Sequence, residues 1–482
     1  MKKKASKFII LLISNYLGFF LSGNAQSDSV PFTLNDLYTL IRQYHPIVKQ
    51  ADLLRERAKA ELLQSKGKLD PKISSGFLQK EFDNKNYFTY WENKLKIPLW
   101  YGPEIKAGFD QNTGEYLGEE NVLPSSGLSY VGLSVPLAQD LLIDERRKVI
   151  RQSRLMVKIA EAERIKQINK LFLTATKDYA EWYFDYLKFL RYRQGFEFAL
   201  NRFEFTVQRI IHGDAAPIDS VEASIQMNNL KILMQQSQLE FVNAGLVLSN
   251  HLWKEGEVPT ELNPAFYPFV PETFFNPVSS DSLQKLFLFA ASNNPEIIKA
   301  INKIKQLEIE KQYAKNKLLP KLNVEYNFLS RGNEFGSTVN SSNFLQNNYK
   351  LGGNFSLPIF LREERGKLKS TRYKLTETKY DYSLISRSVN LDLQRSYNES
   401  VLFAQQVILQ KNIVSYSRKL RDAEEMNFEN GESSLFLINS RELSLISNEV
   451  KFVELQSKFI KSNAEILYHS GAFAEINNLQ SK

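Results

Sequence analysis

The chain has 482 residues, 43% of them hydrophobic and 24% charged, with a formal net charge of +8 and no cysteine. It can bury more than one core, but it has no thiol for a disulfide framework, a thiolate metal site or a lipid. The four lysines of its first turn of sequence carry half of the positive excess, so +4 remains on the rest and no nucleic-acid partner is expected.

Lys2, Lys3, Lys4 and Lys7 precede an apolar run from Phe8 to Leu21, and Gly23-Asn24-Ala25 supplies small residues after it. This is the layout of a secretory signal peptide, expected to span residues 1–25. The run is shorter than the roughly 20 residues of a spanning helix, and no later segment meets that length. Thr33-Leu-Asn-Asp36 then forms a capping box with Asp in place of Glu, which starts a first helix.

An internal repeat organises everything downstream. "KGKLDPK" at Lys66–Lys72 returns as "KNKLLPK" at Lys315–Lys321, and the same offset lays Pro46 on Pro295. Repeats are read before individual elements. After each copy the chain alternates apolar and polar residues, weakly from Ile73 to Phe82 and at Val131, Leu133 and Val135 in the first half. In the second half the alternation is clear at Leu322, Val324, Tyr326 and Phe328, and again at Leu351, Gly353, Phe355 and Leu357. These are strands with one apolar face. The first half carries extra material, including Leu95–Gln111 and a polar loop over 112–127, expected to be an inserted hairpin or a surface loop.

No proline interrupts the chain between Pro136 and Pro217 or after Pro358, as long helices require. In the first of these stretches apolar residues recur at alternating steps of three and four: Ile165, Ile168, Phe172, Ala175, Tyr179, Trp182, Tyr186 and Phe189, and then Phe196, Leu200, Phe203, Val207 and Ile210. The chain turns at Gly213 and Pro217, and the rhythm resumes at Ile218, Val221 and Ile225. The second half turns at Asn430-Gly431 and returns with Leu443, Ile446, Val450, Val453, Ile460 and Leu467. Two antiparallel coiled-coil hairpins are expected, joined by an irregular connector over 257–280 that holds Pro259, Pro264, Pro268, Pro271 and Pro277. The halves are therefore 26–256 and 281–482.

A soluble sandwich would show the same strand alternation. Two hairpins attached to long coiled coils, however, have no second sheet to cover their apolar face. Lipid would cover it, and a sheet in lipid must close into a barrel. His45, His212, His251 and His469 are scattered through the sequence, and no phosphate-cradling glycine loop or nucleophile elbow occurs. Neither an enzyme, a cofactor nor a metal site is expected. The charged clusters Asp144–Lys148 and Arg362–Lys369 fall just after the second strand of each half and read as charged residues at the junction of barrel and long helices, within reach of lipid headgroups.

In order and twice over, His45-Pro46 and Asn294-Pro295, the Leu-x-Pro-Lys motif before a strand, the Ser-apolar-Pro motif after one and the glycine turns resemble the TolC-like family of outer-membrane efflux proteins. The resemblance covers essentially the whole mature chain. It implies a mainly α protein with a transmembrane β-barrel, four barrel strands per chain, a trimer, and long helices forming an α-helical barrel that continues as a periplasmic tunnel. It implies a passive export conduit for a tripartite pump or a type I secretion system, working with a periplasmic adaptor (membrane fusion protein) and an inner-membrane transporter, and embedded in outer-membrane lipid. A periplasmic coiled-coil adaptor is the alternative, although it would carry one hairpin rather than two; a secreted coiled-coil structural protein would need no amphipathic strands.

The resemblance also places a gate at the helical turns. Gly213 and Asp219 match the first-half turn, in which an aspartate holds the gate closed. Gly431 matches the second-half turn, where Phe428 stands for an aromatic that usually bears a hydroxyl and Ser433 replaces an arginine. Leu437 and Ser440 fall where some members carry acids. Asp219 also reads simply as an acid at a helix N-terminus.

Overall fold

The structure is a computed structural model that describes residues 30–275, 280–332 and 348–473. The leader expected at 1–25 lies outside the described residues. In chain order the elements are β1 (Val30–Phe32), α1 (Leu34–Tyr44), α2 (Pro46–Lys66), β2 (Lys72–Phe82), β3 (Lys85–Pro98), β4 (Glu104–Thr113), β5 (Leu128–Pro136), α3 (Glu145–Ile211) and α4 (Pro217–Ser249). Three short strands follow, β6 (Trp253–Lys254), β7 (Val258–Pro259) and β8 (Phe266–Pro268). The second half contains α5 (Ser280–Asn293), α6 (Pro295–Asn316), β9 (Lys321–Arg331), β10 (Tyr349–Ser356), α7 (Arg362–Glu429) and α8 (Leu435–Ser470). Two short helices, strands, a long helix and a shorter return helix thus occur twice in order. No described helix is long and apolar enough to cross a membrane.

The chain builds two compact units. One comprises Pro46–Leu171, Ser279–Tyr397 and Glu465–Lys482, and the other Met1–His45, Phe172–Val278 and Asn398–Ala464.

The first unit holds a six-stranded antiparallel sheet in the order β10-β9-β5-β4-β3-β2. Four barrel strands per chain were expected, and the sheet has six. The extra material of the first half is a hairpin, β3 and β4, lying within the sheet between β2 and β5. A two-residue turn leads into it at Asp83 and Asn84, whose φ values of 55° and 57° match the twist of flanking strands, as primed turns do. β3 escaped the pattern because Tyr87, Phe88, Tyr90 and Trp91 crowd aromatics onto both faces, and clean alternation resumes only at Lys94.

The pairing sorts side chains into two faces, because residues opposite one another across strands point the same way. One row across all six strands reads Ile73, Leu95, Ala107, Val131, Phe328, Tyr349. The adjacent row, on the opposite face, reads Lys72, Lys96, Lys106, Gly132, Asn327, Lys350. The apolar row is open in the single chain, with Ile73 at 84% and Val131 at 41% exposure. In the same unit α6 locks onto the start of α3: Gln152 and Gln306 each donate their side-chain amide to the other's backbone carbonyl, at 3.2 and 3.1 Å.

The second unit is helical. Thr33 and Asp36 form the expected capping box at α1, with the Thr33 backbone N–H donating to Asp36 at 2.9 Å. The α3 seam is fully buried at Phe172, Ala175, Tyr179 and Trp182. Among its described residues the connector is tied to the rest of the unit: β8 pairs in parallel with β1, Phe266 stacks on Phe32 at 5.3 Å, and the Tyr179 hydroxyl donates to the Phe32 carbonyl at 2.6 Å. On the return helix α4 the buried face runs through Ala223, Leu230, Ser237 and Ala244 at a seven-residue step and ends with Gly245 and Leu248. Ile218, Val221 and Ile225, expected in the seam, stand outside it at 68%, 52% and 57% exposure. The small residues among them let α4 approach its neighbours closely, and this turns Ile218, Val221 and Ile225 outward.

Candidate functional site

The two helical turns share one backbone plan. Gly213 adopts φ 82° and Gly431 φ 81°, a left-handed geometry that glycine takes without steric cost. In the first turn Gly213 N–H donates to the Ile210 carbonyl at 3.0 Å and Asp214 N–H to that of Arg209 at 2.8 Å. In the second, Gly431 donates to Phe428 at 3.1 Å and Glu432 to Asn427 at 2.8 Å. Both are Schellman caps that satisfy the last free carbonyls of a helix. Four residues past each glycine the next helix begins, with Pro217 preset for a first helical position and Leu435 following Ser434, whose hydroxyl accepts from Leu437 N–H at 3.3 Å.

The turns meet through packing. Phe428 is buried with Ala223, Leu435 and Ile438, so its ring joins the two hairpins. The Arg209 guanidinium lies 5.8 Å from the centre of that ring, while one of its nitrogens donates to the Asp214 carbonyl at 3.2 Å. Arg209 was not singled out by the sequence; its place in the last turn of a helix, where a cation is favoured, was the available signal. Ser433 donates to Glu424 on its own hairpin. Asp219 lies in the first turn of α4, and among the described residues its carboxylate receives no side-chain hydrogen bond or ion pair. Leu437 and Ser440 are exposed.

About three helical turns behind the tip, a polar layer joins the hairpins. The Arg202 guanidinium, on α3, donates to Asn439 at 3.0 Å and to Glu442, both on α8. The pair is nearly water-free, with side-chain exposures of 8% and 2%. Burial pushes the Glu442 carboxyl up from the usual range, and the Arg202 charge offsets this only in part. Removing one partner of such a pair strands the other charge. Two histidines far apart in sequence also converge, in the same unit. His45 and His251 have ring centres 6.2 Å apart, and His251 Nε2 sits 2.7 Å from Asp178. Burial and the neighbouring His251 push His45 down to about 4. These are packed histidines; among the described residues no group of three or more His, Cys, Asp or Glu is placed to hold a metal.

In the strand-bearing unit the cluster after β5 pins the start of α3. Asp144 and Arg147 are buried. Asp144 caps α3, accepting from Arg147 N–H at 2.8 Å, and Arg147 donates to the Leu141 carbonyl at 3.0 Å. Burial pushes the Asp144 carboxyl up, but the Arg147 hydrogen bonds and the charges of Arg147 and Arg146 outweigh it and hold it below the carboxylate norm. Arg146 reaches Glu104 at the start of β4, at 2.8 Å. Arg362 and Lys369 are exposed.

Residues 289–465 match the family profile described as outer membrane efflux protein. Solved structures agree along nearly the whole chain. The Campylobacter jejuni CmeC outer membrane channel is 15% identical with a TM-score of 0.63, over 93% of this chain and 88% of that one. The open state of the Neisseria gonorrhoeae MtrE outer membrane channel is 14% identical with a TM-score of 0.64, over 91% and 88%. The outer membrane protein VceC of Vibrio cholerae is 12% identical with a TM-score of 0.62, over 91% and 96%. No curated protein matches in sequence. The chain thus has the fold of outer-membrane efflux channels, and its second half carries an outer membrane efflux protein domain.

Proposed function

We propose that this protein is an outer-membrane channel extending into the periplasm, a passive conduit through which an inner-membrane transporter and a periplasmic adaptor export their cargo. The observation that carries the reading is the two-faced sheet. An exposed apolar face backed by lysine, glutamate and asparagine suits lipid outside and water inside, and six strands fall short of the about eight that close a small barrel alone. Further support comes from α4, where Ile218, Val221, Ile225, Ile232, Leu239, Val242 and Leu246 stay more than half exposed or close to it along one side. Such a stripe needs another helix against it. A homotrimer provides that neighbour for every copy.

The turns at Gly213–Asp219 and Phe428–Ser440 are then the periplasmic gate and the adaptor's docking end. Asp219 is the one acid at a matched gate position, since Leu437 and Ser440 leave the second-half ring uncharged and a ring's charge sets ion preference. The reading predicts that the protein fractionates with the outer membrane, is extracted only by detergent, and conducts in planar bilayers with weak cation preference. Asp219→Ala is expected to change closed-state conductance modestly. A detergent-free monomer with full helical content would overturn the channel reading, and strong cation selectivity abolished by Asp219→Ala would overturn the account of the gate.

A further inference from the structure

We infer that the β3–β4 hairpin is part of the barrel wall, so that three copies of this chain close a barrel of eighteen strands. This rests on the trimeric channel reading above and adds the size of its pore.

Three observations place the hairpin in the wall. Its alternation continues that of β5 without a slip: Leu95, Ile97, Ile105 and Ala107 lie in rows with Val131 and Leu133, while Lys96, Lys106 and Glu104 lie in rows with Gly132 and Ser134; against β2 the register holds from Lys72 to Lys80 and shifts only beside the turn. A one-residue slip would have put the charges among the apolar side chains. The hairpin is also fitted to β5, because Gly108 leaves room for Tyr130, whose Cζ would lie 2.4 Å from a Cβ at that position. Finally, it is anchored at its turn, where the Trp100 ring faces the Arg154 guanidinium at 5.5 Å and Glu104 meets Arg146. An excursion into solvent would need none of these.

The edges then dictate closure. Five successive antiparallel pairings leave β2 and β10 running in opposite directions at the two ends of the sheet. Among the described residues neither has a second partner, and both are exposed along their whole length. Each carries apolar residues on the lipid-facing side, Ile73 and Phe77 on β2 and Leu351 and Phe355 on β10. The β2 edge of one copy therefore pairs antiparallel with the β10 edge of the next, a head-to-tail contact that closes when the rotation does. Adding a hairpin keeps the strand number even, so this pairing survives the insertion. Barrel diameter grows roughly linearly with strand number, and barrels of 16–18 strands leave an aqueous channel. The insertion widens the outer-membrane end by about half over a twelve-stranded trimer.

The chain has no cysteine, so single cysteines can report position against a clean background. In intact outer membranes, a membrane-impermeant maleimide is expected to label Glu92→Cys and Asp110→Cys in the hairpin at least ten times faster than Leu95→Cys and Phe109→Cys. Leu133→Cys on β5, expected to stay protected, is the control for the sheet itself. If Leu133→Cys is protected while all four hairpin positions react alike, the hairpin lies outside the wall and the inference fails. If Leu133→Cys reacts as fast as Glu92→Cys, the sheet is not in lipid and the channel reading fails with it.

Discussion

The two return helices answer to the same turn geometry and yet are used differently. α8 buries Leu435, Ile438, Leu445, Ile446, Val453, Phe459 and Ile460, and so is held within its own chain. α4 buries a narrow stripe in which Ala223, Ser237, Ala244 and Gly245 join Leu230 and Leu248, and leaves Ile225, Ile232 and Leu239 at 57%, 53% and 61% exposure. The contrast teaches that helical rhythm records a face to be covered without saying by what: on α8 the cover is the same chain, and on α4 the proposed trimer assigns it to another copy.

Variants at the two faces should separate folding from assembly. Phe459, fully buried, packs against Phe275 at 5.9 Å between ring centres, and Phe459→Ala is expected to cost about 3–5 kcal/mol. The helical signal in far-UV circular dichroism should then melt at markedly lower temperature, and assembly should be lost with the fold. The triple change Ile225→Ser, Ile232→Ser and Leu239→Ser should abolish assembly in native mass spectrometry while leaving that melting profile of the protomer nearly in place. Equal loss of fold in both variants would erase the comparison.

Smaller effects sharpen it at the turns. A Cβ at Gly213 or Gly431 would meet nothing within 4 Å, so alanine there pays only the left-handed backbone strain, about 1–2 kcal/mol. Amide exchange in the last turns of α3 and α7 should accelerate by roughly tenfold, with assembly retained. The smallest effect is at His45. In the fold it stays neutral down to about pH 4, whereas the unfolded chain takes up its proton near the ordinary value of about 6.5. Its contribution is therefore present above pH 6.5 and is lost as pH falls toward 4, where the unfolded state binds more protons. His45→Gln should flatten that part of a stability profile measured by thermal melting at successive pH values, and an unchanged slope would show that His45 does not carry it.

Much of this architecture was legible because periodicity and proline placement are local. The hairpin turns at Gly213 and Gly431, the capping box at Thr33 and four of the sheet strands follow from residues within a few positions of one another. What escaped depended on distant partners. β3 is a strand because β2 and β4 flank it, and the aromatics Tyr87 to Trp91 hide its alternation. The outward turn of Ile218 and Val221 is set by Ala223 and Leu230 packing inside. At the candidate gate, the sequence named Phe428 but not Arg209 beneath its ring, nor Arg202 with Glu442, because a lone arginine on a long helix looks like surface until the other hairpin is placed beside it.

The central claim is that six strands from each of three copies enclose one pore. Single-particle electron microscopy of the detergent-extracted protein in lipid nanodiscs counts them directly. The account predicts threefold particles whose membrane wall has eighteen strands, with β2 of each copy beside β10 of the next. A twelve-stranded wall, with the β3–β4 hairpin outside it, would contradict the account.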